Sequence, residues 1–375
     1  MTNEQELIYT IALSRLPKIS LANCRILYDQ ANSVTEIWNH RNNIKEILPD
    51  ASERLINALQ SMDECVKRAE KEMEFISKNN IKTMCIGEAD YPSRLIECDD
   101  APLVLFQCGN ADLNVKHVIN VVGTRKCTQY GKEICQSLIA GLKQKCPDIL
   151  VVSGLAYGID IHAHRAALKN GMTTVGVLAH GLDRIYPAVH RKTAAEMVNN
   201  GGLLTEYLSG TNPDRINFIR RNRIVAGISD ATIVVESANK GGSLITAELA
   251  ADYNRDVFAY PGRAFDEYSA GCNRLISEQK ASLIQSEDDL LRLMGWEDIQ
   301  PNDKPKATQQ ELFINLNEEQ QRIVTALKDS DGKQINQIIV ETGLNYMQVS
   351  SQLYELECMG VIALLGGARY KVIRQ

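Results

Sequence analysis

The densest chemistry in this 375-residue chain lies in Asn212-Pro213-Asp214-Arg215-Ile216-Asn217-Phe218-Ile219-Arg220-Arg221-Asn222-Arg223. Four arginines fall within nine residues of a chain whose formal net charge is -6. A guanidinium fork matches phosphate geometry, and a phenylalanine among such groups offers a face for an unstacked base. A salt-bridged helix start with Phe218 in the core satisfies the same residues, so composition alone leaves both readings open. Because the chain is acidic overall, any nucleic-acid site must concentrate its positive charge locally. This segment does so.

Three glycine-bearing turns carry further candidates. Val121-Val122-Gly123-Thr124-Arg125-Lys126 ends an apolar run, where backbone amides and a following helix could meet an anion. It is not a Walker loop: seven residues separate Gly123 from Gly131, and Glu133 replaces the hydroxyl. Nor does it read G-x-G-x-x-G, so a dinucleotide cofactor is not indicated. Ser153-Gly154-Leu155-Ala156-Tyr157-Gly158-Ile159-Asp160-Ile161-His162-Ala163-His164 forms the second turn. Its two histidines stand at i and i+2, which point apart on a helix and make a poor metal pair. Asp160 and His162 invite an acid–base reading, but a helix-capping aspartate and a packed or surface histidine are the simpler expectation. In the third turn, Lys240-Gly241-Gly242-Ser243 opens a helix. Ser243 is expected to cap it, with Lys240 and the glycine backbone forming a cationic nest.

The elements that position these loops follow from texture. Residues 1–75 carry apolar positions at helical spacing (Leu7, Ile8, Ile11, Ala12, Leu16) and read as a helical module. Its turn Leu16-Pro17-Lys18-Ile19-Ser20 lacks the glycines of a helix-hairpin-helix phosphate clasp, so a structural role is expected. From 80 to 295, β-branched runs alternate with helical stretches: Val118–Val122, Ile149–Ser153, Thr173–Leu178, Ala231–Val235 and Asp256–Ala259. That alternation predicts an α/β domain with a parallel sheet covered on both faces and ligands at the strands' carboxyl ends. A polar linker is expected over 296–310. Residues 311–375 then read helix, short helix, helix and hairpin, the order of a winged helix. This last module holds eight acidic and six basic side chains, and its Tyr346–Met359 helix has neither Lys nor Arg. A DNA-reading role for it is therefore disfavoured, and a protein-contact or accessory role is expected.

None of the ten cysteines forms a C-x-x-C pair, so metal ligation has little support. Unpaired thiols suit a reducing compartment. With no signal-peptide pattern and no apolar run of about 18 residues, a cytoplasmic location without a membrane partner is expected.

Taken in order, Val121–Arg125, Val152–Asp160, Gly181-Leu182-Asp183-Arg184-Ile185-Tyr186-Pro187, Phe218 through Gly227, Gly242–Ala247, Pro261-Gly262 and Gly271–Ile276 resemble the DprA/Smf family. The resemblance is close over about 85–290 and weaker toward both ends. It implies a Rossmann-like core with an N-terminal helical (SAM-like) domain and a C-terminal winged helix. It further implies a homodimer that binds single-stranded DNA and helps load the RecA recombinase in DNA uptake, without catalysis or cofactor. In such proteins the glycine turn after the first strand contacts DNA, which carries onto Gly123, Thr124 and Arg125. A basic residue and an aromatic three positions later line the pocket, here Arg215 and Phe218. The Arg-Asn-Arg run falls on Arg221, Asn222 and Arg223. Ser153 and Gly154 of the second turn complete the candidate set, with Lys240, Gly242 and Ser243 added on geometric grounds. Tyr157 stands where the family commonly has arginine.

One enzymatic alternative remains. Gly241 to Glu248 is similar to the phosphate-binding motif of nucleotide phosphoribohydrolases of the lysine-decarboxylase-like fold, which would recast Glu248 and Arg223 as catalytic.

Overall fold

A computed structural model describes residues 4–31, 33–296, 316–328, 330, 332–359, 361–365 and 369–372. The chain divides into two compact units, Met1–Asp298 and Ile299–Gln375. The expected linker lies, but for Trp296, outside the described residues.

In the first unit, helices Glu4–Leu13, Leu21–Gln30, Val34–Asn39, Glu53–Leu59 and Met62–Asn79 precede the sheet. Ser20, Ser33 and Ser52 start three of them by accepting an amide hydrogen bond from the residue three positions on. Such caps satisfy donors that a helix leaves orphaned. Leu27, Ile37 and Leu59 share one hydrophobic cluster with Leu204, Ile224 and Val234, so the helices and the sheet bury a common core.

Nine strands make that sheet: β1 (Lys82–Cys85), β2 (Val104–Gly109), β3 (Val118–Val122), β4 (Leu150–Ser153), β5 (Thr174–Val177), β6 (Gly201–Thr205), β7 (Ala231–Val234), β8 (Asp256–Ala259) and β9 (Ser282–Leu283). Their order is β1-β2-β6-β5-β4-β3-β7-β8-β9. β1 pairs antiparallel with β2, and β2 with β6; all other pairs are parallel. Every residue of β3 to β7 is buried, as expected for strands covered on both faces. The five anticipated runs form strands within a residue or so of their expected ends.

The connectivity creates the site. From β3 the chain builds outward through β4, β5 and β6, then returns to the opposite side of β3 as β7. Loops leaving β3 and β7 therefore part in opposite directions and open a crevice above the strands' carboxyl ends.

The second unit has helices Glu318–Leu327, Ile335–Thr342 and Tyr346–Cys358 with strands β10 (Lys333–Gln334), β11 (Ile362–Leu365) and β12 (Arg369–Val372). The strands form a small antiparallel sheet ordered β10-β12-β11. Gly343, at φ 71°, ends the middle helix in the left-handed region that glycine occupies freely. Ile323, Ile338, Val349, Leu353 and Ile362 fill its core. This is the winged-helix arrangement its element order predicts; residues 366–368, between β11 and β12, lie outside the described residues.

Candidate nucleic-acid interface

The loop after β3 is strapped on both sides. Thr124 donates its amide to the Glu236 carbonyl at 2.7 Å, and Ile159 donates to the Thr124 carbonyl at 3.2 Å. A Cβ on Gly123 would lie 2.4 Å from the Ile159 side chain and 2.8 Å from the Glu236 carbonyl oxygen, so only glycine fits there. Glu236 is buried and accepts from the Thr128 amide at 2.8 Å and the Thr128 hydroxyl at 2.5 Å. These ties hold the exposed Arg125 above the strand ends.

Across the crevice, helix Arg215–Gly227 begins where Asp214 accepts the Asn217 amide at 2.8 Å. Arg215 is exposed in its first turn, and the half-buried Phe218 follows. The Arg125 guanidinium carbon lies 5.1 Å from the Phe218 ring centroid. The Tyr186 ring is 5.7 Å from that of Phe218, tilted by 55°. The segment is helical, and the cation beside the ring is Arg125.

Arg221 instead turns inward. It is 4% exposed and donates from Nη1 to the Val177 carbonyl at 2.7 Å. A Cβ on Gly154 would lie 1.8 Å from that nitrogen, so Gly154 makes room for the guanidinium. Beneath them, the buried Asp160 accepts the amides of Gly154 at 3.2 Å and Ala156 at 3.4 Å. Burial pushes the Asp160 carboxyl above its ordinary value, while Arg221 and those amides pull against it. Asp160 thus fixes the turn that precedes it instead of serving as a helix cap.

The pocket enclosed by these groups has a volume of about 670 Å³. Its walls include Gly123, Thr124, Arg125, Gly154, Arg215, Phe218, Arg221, Asn222, Lys240, Gly242 and Ser243. Eleven of the thirteen candidate residues therefore meet at one place. Two do not. Ser153 is buried and its hydroxyl donates to the Val121 carbonyl at 2.6 Å, tying β4 to β3. Arg223 is 5% exposed and forms a 2.7 Å ion pair with the buried Glu206, while also donating to the Asp100 carbonyl.

Ser243 lines the pocket without capping. The helix Gly242–Asp252 takes Gly241 as its N-cap with no side-chain cap bond, and the Ser243 hydroxyl donates to Ser237 Oγ at 2.8 Å. The first-turn amides thus receive no capping side chain, beside an exposed Lys240. Helix N-termini of this kind carry partial positive charge and favour anions.

Tyr186, Ile219 and Ile245 also line the pocket and were not among the candidates. Tyr186 lies in the Gly181–Pro187 segment, so its neighbourhood was visible though its role was not. His164 is wholly buried with Nδ1 2.7 Å from Thr174 Oγ1, and burial pushes its imidazole down to about 3. Among the described residues no group of three or more His, Cys, Asp or Glu could hold a metal ion. The phosphoribohydrolase alternative loses its geometry as well. Glu248 is exposed on a separate depression shared with Leu275 and Lys280, while Arg223 is locked to Glu206.

Residues 82–295 match the family model described as DNA recombination-mediator protein A. The chain belongs to that family. Residues 304–368 match the DprA winged helix domain. A Streptococcus pneumoniae DNA processing protein DprA is 43% identical over 201 residues, covering 54% of this chain and 70% of its own. The X-ray structure of a DprA from the same species superposes with a TM-score of 0.64 at 33% identity, covering 78% of this chain and 98% of that one. A Helicobacter pylori DNA processing protein A, described for its single-stranded DNA binding mode, superposes with a TM-score of 0.53 at 29% identity, covering 59% and 98%. This chain is thus a DprA/Smf-type DNA processing protein in family and fold. No helix among its described residues is long and apolar enough to cross a membrane.

Proposed function

We propose that the crevice above β3 and β7 binds single-stranded DNA. The observation that carries this reading is the Phe218 ring with Arg125 and Tyr186 beside it at the mouth of a pocket also lined by Arg215 and Lys240. An unstacked base can rest on exposed ring surface while the cations and the free helix amides receive phosphates. A duplex keeps its bases stacked and presents no such face. The site contains no groove-reading helix, so sequence preference is weak. Arg223 and Ser153 act from beneath, as supports of the helix and strand that carry the contacts.

The family's description as a recombination mediator supports a further role: delivering the bound strand to a RecA-type recombinase, with the protein acting as a homodimer in the cytoplasm. Binding and delivery require no bond-breaking chemistry, in keeping with a non-enzymatic protein.

Fluorescence anisotropy with single- and double-stranded oligonucleotides tests the reading. Preference for the single strand and a steep decline of affinity with salt are expected, because phosphate contacts release counterions. Equal affinity for duplex, or a flat salt response, contradicts it.

A further inference from the structure

The basic and aromatic surface continues past the pocket. Gly154 and Ala156 line the pocket, and the next residue, Tyr157, is 46% exposed. Its ring meets that of the buried His190 edge-on, with centroids 5.2 Å apart. His190 is itself fixed, its Nδ1 lying 2.9 Å from the Leu155 carbonyl oxygen. It follows by four residues Tyr186, the ring beside Phe218. Helix Arg191–Asn199 starts next, with Arg191 and Lys192 both exposed. Arg165, exposed on helix Ile159–Lys169, donates to Thr193 Oγ1 at 3.3 Å and so stands beside that first turn. Among the described residues Arg165, Arg191 and Lys192 make no ion pair, although the chain carries net negative charge.

We propose that this surface is a second subsite for the same strand, in which nucleotides leaving the pocket past Tyr186 lay a base on Tyr157 and phosphates on Arg165 and Lys192. The inference rests on the pocket's holding single-stranded DNA. Continuity with the pocket through Ala156 and Tyr157 selects the occupant: a strand anchored at Phe218 would engage an adjoining surface at no further cost of association. Tyr157 is 46% exposed, which leaves surface for a base, and base–aromatic stacking tolerates any sequence.

The test is a length series of oligothymidylates, one of about 6 and one of about 20 nucleotides, spanning the footprints usual for single-strand modules. The unaltered protein should bind the longer strand more tightly and with a steeper salt slope. Tyr157→Ala should weaken the longer strand about tenfold and leave the shorter unchanged, with Tyr157→Phe restoring wild-type affinity. A double Arg165→Ala, Lys192→Ala variant should lower the slope on the longer strand by about 1.4, two contacts at about 0.7 each. Melting temperatures should match the unaltered protein. Wild-type affinity and slope on the longer strand in both variants, with the shorter strand still bound, overturns the second subsite alone. Failure of the unaltered protein to bind the shorter strand overturns the pocket reading and this subsite with it.

Discussion

Helix Arg215–Gly227 of the α/β unit and helix Tyr346–Cys358 of the winged-helix unit are both 13 residues long and opposite in character. The first exposes Arg215 and Arg220, and its Phe218 stands beside Arg125. The second occupies the position of a DNA-reading helix, yet it has no cation and carries Glu355 and Glu357. Its exposed large side chains include Tyr346 and Met347. The helix that would read a duplex thus has no cation of its own, while the loops of the doubly wound sheet carry Arg125 and Lys240 of the proposed site. Function follows the site and not the motif.

Within the first helix Arg220 is exposed while Arg223, three residues on, is buried. Arg223→Met should have the largest effect, and on folding rather than binding. It leaves Glu206 buried without its partner, which costs about 3–5 kcal/mol of stability in a denaturant titration. The remaining folded protein should bind single strands within a few-fold of wild type. A stable Arg223→Met protein that has lost DNA would move Arg223 back into the site.

Phe218→Ala comes next. Loss of stacking should cost about 1–3 kcal/mol of affinity and leave the salt slope nearly unchanged. If Phe218 serves the core instead, truncation costs about 3–5 kcal/mol of stability, so melting temperature separates the two outcomes. Arg125→Ala should weaken binding more modestly and lower the salt slope by about 0.7, one phosphate contact on a single strand. The smallest effect belongs to the winged helix. Deleting residues 307–375 should leave single-strand affinity within a few-fold. A loss of about a hundredfold, or roughly 2.7 kcal/mol, would show that this unit holds DNA after all.

Much of this was legible in the sequence because the signals were local. The runs that became β3, β4, β5 and β7 are rich in β-branched residues, β8 sets Val257 beside the aromatic Phe258, and each leads to a glycine turn. β6 was not legible: Gly201-Gly202-Leu203-Leu204-Thr205 has the burial of a central strand but one β-branched residue, so its strand character comes from pairing with β5 and β2. The loops around the pocket were readable from Gly123 and Lys240, whose neighbours in sequence dictate the turn. Which arginines face outward was not. Arg223 is neutralised by Glu206, just past β6, and Arg221 reaches the Val177 carbonyl through the space left at Gly154, partners that the local sequence does not name. Tyr186 was hidden for the same reason, since it becomes part of the site only through the Phe218 ring.

Photocrosslinking a single-stranded oligonucleotide substituted with 5-iododeoxyuridine, followed by peptide mapping, tests the central claim most directly. Adducts should fall on Phe218 or Tyr186, and should disappear when an unlabelled single strand, but not a duplex, is added in excess. Adducts confined to the helix Tyr346–Cys358, with the Phe218 and Tyr186 peptides unmodified, would contradict the assignment of the crevice as the DNA site.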